Sequence, residues 1–480
     1  MSEIIRIGNR RELFWDDYLI NTHETTATLM VHHPVAKEAV MVHGEAWEGD
    51  GCDYHCIVKD EGFYRMYYLG WQMMNEDATK FIPSSIVVCY AESKDGLEWV
   101  KPDLGICEYR GSKENNIILD ENTMKFDNFF VFKDDNPDCR AGEEYKGIGS
   151  DSRDGYLWCF TSADGIHFER SRPMTNQGKF DTLNVALWDQ KTCQYMCFIR
   201  DFHNVPNGNL NAGVRDIRRI KSKDFVRWTD PEMICFGDQD DIPLYTNAVQ
   251  KYYRADHMLI GFPSRYIEKK EWTPNFDQLA GADRRKKRMK LHPRYGLTIT
   301  DCVFMSSRDG INWNRFDEAF ITPGLESELN WVYGDCYPAV GLIETKSDIP
   351  NAPNDLSMYC FENHWSGIPT NLRRYTIRTD GFASYHSGYK QSKIVTKPFL
   401  YTGNSLSVNF ATSAIGYIIV KLICEGQTME SIEHFGNTYD RNVIFGKGNI
   451  GSFSGKPVIM EILMMDADIY SFQFDERSIV

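Results

Sequence analysis

Ser93-Lys94-Asp95-Gly96-Leu97-Glu98-Trp99 carries a small polar residue, an Asp-Gly pair and, three places after the glycine, an aromatic. The pattern returns as Ser162-Ala163-Asp164-Gly165-Ile166-His167-Phe168 and as Ser307-Arg308-Asp309-Gly310-Ile311-Asn312-Trp313. Ser222-Lys223-Asp224-Phe225-Val226-Arg227-Trp228 is a further copy with Phe in place of Gly. A looser fifth is Arg378-Thr379-Asp380-Gly381-Phe382, with Tyr385 one place late. Asp-Gly supplies a tight turn in which positive φ is cheap, and the aromatic after it can pack on a neighbouring sheet. The aspartates are spaced by 69, 60, 85 and 71 residues. Between them run strand-like stretches such as Phe63-Tyr64-Arg65-Met66-Tyr67-Tyr68 and Ile86-Val87-Val88-Cys89-Tyr90. Four short strands in each interval predict one blade of a β-propeller, and five copies predict five blades.

Beyond about residue 395 the repeat stops. Alternating runs follow, among them Leu406–Phe410, Tyr417–Leu422 and Val458–Leu463. The expected architecture is all-β: a five-bladed β-propeller over 1–394 and a C-terminal β-sandwich over 395–480, the latter capping an edge or serving an oligomer contact. Residues 267–295, with Arg284-Arg285-Lys286-Lys287-Arg288 and Lys290, read as an irregular segment leaving blade 4. It is either a solvated loop, or a lid or subunit contact over the site that meets an anionic substrate group.

Composition narrows the function. The chain has 480 residues, a formal net charge of -15 and 42% hydrophobic residues. Such acidity excludes nonspecific nucleic-acid binding as a leading class. No window is apolar enough for a membrane helix, and the charged N-terminus offers no signal-peptide core. Thirteen scattered cysteines read as reduced thiols, hence a cytoplasmic protein. Cys52 with Cys56, and Cys193 with Cys197, flank strand-like runs and read as ordinary buried cysteines rather than metal ligands.

In a propeller, the starts of the innermost strands and the loops joining second strands to third gather on one face. Polar residues recur there. Asp53 precedes the first strand of blade 1, and Asp127-Asn128 that of blade 2. Asp181 and Asn184 open blade 3, whose second strand ends in Arg200-Asp201-Phe202-His203. Tyr245-Thr246-Asn247 opens blade 4, with Arg265 after its second strand. Asp335 opens blade 5, and Glu362-Asn363-His364-Trp365 follows its second strand. Glycosidic hydrolysis needs two carboxylates of different pKa facing one another, and such a ring supplies candidates. Asp127 and Asp60 read as turn or cap residues. Asp53, Asp181, Asp335 and Glu362 read as the catalytic set. Arg200, Asp201, His203, Asn128, Asn184, Asn247, Arg265 and Trp365 read as substrate-binding.

The opening Glu12-Leu13-Phe14-Trp15-Asp16-Asp17-Tyr18-Leu19-Ile20, the five turns, Arg200-Asp201-Phe202 and Asp466-Ala467-Asp468-Ile469-Tyr470-Ser471-Phe472 resemble a bacterial group of glycosyl-hydrolase-like five-bladed propellers. That group looks related to the superfamily of glycoside hydrolase families 32 and 43. The resemblance implies an Asp base at the start of blade 1, matched by Asp53. It implies an orienting Asp at the start of blade 3, matched by Asp181. It also implies a Glu acid at the start of blade 4, where this chain has Tyr245-Thr246-Asn247, so Glu362 or Asp335 is left to supply the acid. No organic cofactor is implied, and a calcium ion in the central channel is allowed. The expected activity is a glycoside hydrolase that releases a terminal sugar, furanosides included, from a small carbohydrate. A phosphorylase on the same propeller, and a sugar-binding propeller without catalysis, stay open.

Overall fold

The computed structural model describes residues 4–446 and 448–476. The chain forms two compact units: Pro34–Tyr252 with Asp256–Thr376, and Met1–His33 with Tyr253–Ala255 and Ile377–Val480.

The first unit is the five-bladed propeller. Blade 1 runs Cys56–Lys59, Tyr64–Gly70, Val87–Ser93 and Ile117–Leu119. Blade 2 runs Phe126–Lys133, Tyr145–Asp151, Leu157–Ser162 and Glu169–Thr175. Blade 3 runs Val185–Asp189, Gln194–His203, Val214–Ser222 and Glu232–Met233. Blade 4 is built from Gln250–Tyr252, Ala255–Gly261, Met305–Ser307 and Trp313–Arg315. Blade 5 takes Ile343–Thr345, Asp355–Glu362 and Asn371–Ile377 in chain order; its outer strand is Val35–Val42, antiparallel to Asn371–Ile377. That N-terminal strand closes the circle, so the fold has no unpaired first blade. The first strands are innermost. Those of blades 1 to 4 neighbour one another in turn. The ring shuts where Ile57 N donates to Val340 O (2.7 Å) and Val340 N to His55 O (3.0 Å). Burial follows this order: Val185–Asp189 and Tyr145–Asp151 are wholly buried, whereas the outer Glu232–Met233 is exposed.

The repeated turn proves to be the joint between blades. In blades 1 to 4 it follows the third strand. The serine Oγ accepts from the glycine N–H in three copies, at 2.9 Å in each. The aspartate Oδ1 accepts the two N–H groups that follow, as from Leu97 (2.8 Å) and Glu98 (3.0 Å). The glycine carbonyl then receives a tyrosine from the preceding blade: Tyr359 Oη donates to Gly96 O (2.7 Å), and Tyr67 Oη to Gly165 O (2.8 Å). The trailing aromatic packs on the same preceding strand, Trp99 against Tyr359, Phe168 against Tyr67 and Trp313 against Phe198. Glycine suits the positive φ of three of these turns. Gly165 has φ +73°, and a Cβ there would lie 3.0 Å from Tyr67 Oη. Blade 3 has Phe225 at φ 59°, whose ring fills the joint against Phe132 and Tyr195.

The second unit takes in more of the chain than the expected 395–480. It begins at Ile377 and includes the N-terminal segment. Eight of its strands form one sheet around the long pair Ser405–Cys424 and Ile459–Asp475, and Ile5–Gly8 pairs in parallel with Phe399–Tyr401. Register slips between Thr412 and Tyr417, and the alternating inward side chains share one core with Phe14, Leu19 and Ile20. Glu12–Leu13 and Thr28–Val31 pair into that sheet, which is why the N-terminus belongs here. The fifth repeat copy lies in this unit. Arg378 replaces the serine, and Asp380 binds Ser471 Oγ (2.6 Å) and Arg11 Nη1 (3.5 Å) instead of capping its own turn. No fourth strand of blade 5 follows it; the chain enters Ala383–Ser387 of the second sheet.

The segment expected to be irregular holds three short helices: α1 (Pro274–Gln278), α2 (Ala282–Met289) and α3 (Arg294–Leu297). The basic run itself is helical. Asp283 sits in the first turn of α2, and Lys286, Lys287 and Arg288 in the last, each favourable to the helix dipole. Arg285 and Arg288, three residues apart and so on one face, are buried. The solvated-loop reading fails at these two residues.

Candidate functional site

Three of the five innermost strands are entered through one device. Asp53-Tyr54, Asn247-Ala248 and Asp335-Cys336 each place a polar residue before a left-handed one, with φ of 53°, 42° and 58°. A left-handed residue other than glycine costs on the order of 1 kcal/mol or more and persists only where its surroundings over-determine it. The carbonyls of Asp53 and Asn247 accept from Leu69 N (3.1 Å) and Phe262 N (3.0 Å), anchoring both mouths to their second strands.

Asp53 is buried, and its Oδ1 has no hydrogen-bond partner. Burial and then the nearby Asp127 carboxyl push its pKa well above the ordinary range; the Trp71 indole N–H opposes this without completing a hydrogen bond. Asp127 is partly exposed and is raised to about 6 by burial, with Arg200 pulling the other way. Two carboxyls thus lie near one another, both raised, with Arg200 opposing the rise at Asp127. Asp127 was expected to be a turn residue. The signal for a different role was its place beside Asn128 at a strand mouth.

Around this pair stands an aromatic wall. Tyr245 stacks on Tyr266 (5.7 Å) and on Tyr337 (5.6 Å), and Tyr333 Oη donates to Tyr245 Oη (3.1 Å). Tyr333 meets Trp365 edge-on (5.1 Å), and Trp365 lies parallel to His364 (4.7 Å). The indole N–H of Trp365 and Nδ1 of His364 are buried without protein partners. A cavity of about 280 Å³ opens on the Tyr245, Tyr266 and Tyr333 part of the wall, lined also by Asp181, Arg200, Arg215 and Arg294; Asp53 and Asp127 are not in its lining. Of the wall, sequence reading singled out only Trp365 as binding. The tyrosines were missed because aromatic residues in β-strands ordinarily read as core.

The other expected residues fall into different settings. Asp181 is exposed and ion-paired with the buried Arg200, whose Nε donates to Lys179 O (2.9 Å). Both line the cavity. Asp335 is buried and raised to about 7 by burial. Its Oδ2 accepts Val332 N (2.8 Å), and Arg288 and Arg285 of α2 lie near it. Glu362 is tied to Arg373 Nε (2.5 Å) on the adjacent strand, away from the Asp53–Asp127 pair's partners. Arg265 is held by Asp301 (2.6 Å) and Asp317 O (2.7 Å). Asp201 pairs with Arg218 (3.1 Å). His203 sits between Asp216 (3.1 Å) and Asp241 (2.9 Å). Burial opposes its charge, but the two carboxylates prevail and raise its pKa. These residues serve as structural ties. The amides Asn128, Asn184 and Asn247 are also spent on the fold. Asn128 Nδ2 donates to Ser150 Oγ (2.7 Å), Asn184 Nδ2 to Thr182 O (2.9 Å), and Asn247 Oδ1 accepts Val249 N (3.1 Å). Among the described residues no three His, Cys, Asp or Glu side chains gather as a metal set, and the amide oxygen of Asn184 already accepts from Arg200 N.

No family model matches the chain. An uncharacterised protein of Mycobacterium tuberculosis is 27% identical over 154 residues, 30% of this chain; the chain spans 41% of the length of that relative. Similar solved structures include a thermostable family-43 glycoside hydrolase (12% identity, TM-score 0.43, covering 72% of this chain and 95% of that one). Another is a family 43 arabinoxylan arabinofuranohydrolase from Bacillus subtilis (11%, TM-score 0.41, 90% and 97%). A third is the family 32 β-fructofuranosidase of Bombyx mori (9%, TM-score 0.40, 93% and 94%).

Proposed function

We propose that the propeller unit is a glycoside hydrolase that releases a terminal sugar from a small saccharide or glycoside. The observation that carries this reading is the Asp53–Asp127 pair, two neighbouring carboxyls both raised by burial, with Arg200, which pulls on Asp127, lining an aromatic-walled cavity. Hydrolysis of a glycosidic bond requires one carboxyl that keeps its proton and one that has lost it. Asp53, buried with Oδ1 unpartnered and its pKa pushed well above the ordinary range, is assigned as the acid toward the leaving oxygen. Asp127, drawn down by Arg200, is the carboxylate above about pH 6 and supports charge at the anomeric carbon or activates water. This reverses the assignment of Asp53 as base. Tyrosine and tryptophan faces suit the apolar face of a sugar ring, and the unpartnered His364 and Trp365 nitrogens suit its hydroxyls. A cavity of about 280 Å³ lies at the small end of ligand pockets, which favours a chain end over a long polymer.

The test is a library of aryl glycosides, furanosides and pyranosides together, with products followed by NMR in wild type and Asp53→Asn. Turnover that depends on Asp53 supports the reading. No turnover of any glycoside, or full activity in Asp53→Asn, overturns it. A phosphorylase is the second reading, favoured by the cations around the cavity, and turnover that requires inorganic phosphate identifies it.

A further inference from the structure

Arg215 is a buried cation without a counter-ion. It is 6% exposed, its Nε has no acceptor, and no carboxylate pairs with it among the described residues. Its guanidinium lies 3.7 Å over the ring of Tyr266 and 5.3 Å from that of Phe202. Both rings line the same cavity as Arg215 itself. Arg294, partly exposed on α3, also lines it, and its Nε likewise lacks an acceptor. Arg200 and Lys179 complete the cationic side, facing a single carboxylate, that of Asp181. Arg200 and Arg215 are near enough to repel, which helps hold the Arg200 pKa below its usual value, although burial is the larger cause. A chain of net charge -15 therefore sets four cations, Lys179, Arg200, Arg215 and Arg294, around one cavity. An unpaired guanidinium out of water is costly. A bound oxyanion would relieve that cost through paired, charge-assisted hydrogen bonds, the geometry for which arginine is built.

We propose that the ligand of this cavity carries an oxyanion, a carboxylate or a phosphate group, held by Arg215 together with Arg294. The inference rests on the reading of the cavity as a saccharide site and names the class of that saccharide. The carboxylate would belong to the sugar, as in a uronic acid; the phosphate would be free phosphate.

Titration calorimetry in phosphate-free buffer tests it. The probes are D-glucuronate against D-glucose, D-galacturonate against D-galactose, and inorganic phosphate. The expected result is at least tenfold tighter binding of a charged probe than of any neutral one. That preference should fall at least tenfold in Arg215→Met and in Arg294→Gln. A uronate preference assigns the anion to the sugar, and a phosphate preference assigns it to free phosphate. Arg294→Gln, at a partly exposed position, gives the readout should Arg215→Met fail to fold. Equal binding of charged and neutral probes, binding of none, or unchanged anion affinity in folded variants overturns the proposal. Glycoside cleavage without anion preference sinks this inference alone. Anion binding by a protein that cleaves no glycoside sinks the hydrolase reading alone.

Discussion

Asp95, Asp164, Asp224 and Asp309 lie in the turns between third and fourth strands, and Asp53, Asp127 and Asp335 lie where innermost strands begin. In the turns the carboxylates accept from two successive backbone N–H groups, as Asp164 does from Ile166 (2.9 Å) and His167 (2.8 Å). Burial works against Asp164, yet these donors outweigh it and hold the carboxyl well below the usual range. At the mouths burial prevails, and all three carboxyls are raised. The lesson is one of donors against burial: two backbone N–H groups outweigh it in the turns, whereas Asp335, which accepts Val332 N–H, is still raised. A carboxylate whose oxygens the backbone fills is scaffold. One left wanting donors is available for a substrate.

The strongest challenge to this contrast is Asp53→Asn. The change is nearly isosteric, so the fold should persist, while an amide cannot deliver a proton. Turnover of the glycosides identified above should fall by roughly two to four powers of ten. Loss of the folded state in circular dichroism, rather than of kcat alone, would place Asp53 with the scaffold.

Next in size is the pH dependence of stability, which should have opposite sign in the two regions. A carboxyl raised on folding stabilises below its unfolded pKa and loses that contribution as pH climbs through the folded value. Asp127 should therefore cost the fold on the order of 2–3 kcal/mol between about pH 4 and about pH 6. Urea unfolding of Asp127→Asn should lack that loss. A lowered carboxyl such as Asp164 does the reverse, stabilising above its unfolded pKa and losing this as pH falls toward its folded value. Equal pH slopes for wild type and Asp127→Asn would erase the distinction. Activity should rise with pH through about 6 as Asp127 ionises.

A smaller effect belongs to the joints. Gly165→Ala forces a side chain into φ +73° and against Tyr67 and Tyr145. It should cost about 1–3 kcal/mol of stability, seen as a lower Tm, with kcat unchanged. A fall in kcat without loss of stability would tie the rim to the chemistry. The smallest effect should come from Glu362→Gln. With Arg373 as its partner, Glu362 should change turnover by about threefold or less, equally for good and poor leaving groups. A large loss confined to poor leaving groups would restore Glu362 as the acid.

Four of the five blades were legible because these turns are short-range chemistry; the fifth copy lies in the second unit, and blade 5 is completed by Val35–Val42. Ser, Asp and Gly in sequence fold their own turn, so the motif announces itself wherever the chain uses it. The mouth of each blade was legible for the same reason, since a polar residue before a buried strand is a local signal. Asp53 and Asp335 were found this way. Which neighbour each acid meets was not local. Asp127 and Asp53 are drawn together from different blades, and Glu362 is claimed by Arg373 from the next strand. Arg215, on the third strand of blade 3, looked like one more charge in Val214-Arg215-Asp216-Ile217-Arg218-Arg219. Only its lack of a partner once buried sets it apart from Arg218, which Asp216 and Asp201 hold. The basic run around Arg285 shows the boundary most clearly: helix propensity and end charges were written in the sequence, but burial of two guanidiniums is a property of what packs against them. Local hydrogen bonding is encoded residue by residue, whereas desolvation and pairing depend on every surface that closes over a group, and these are set only when the blades assemble.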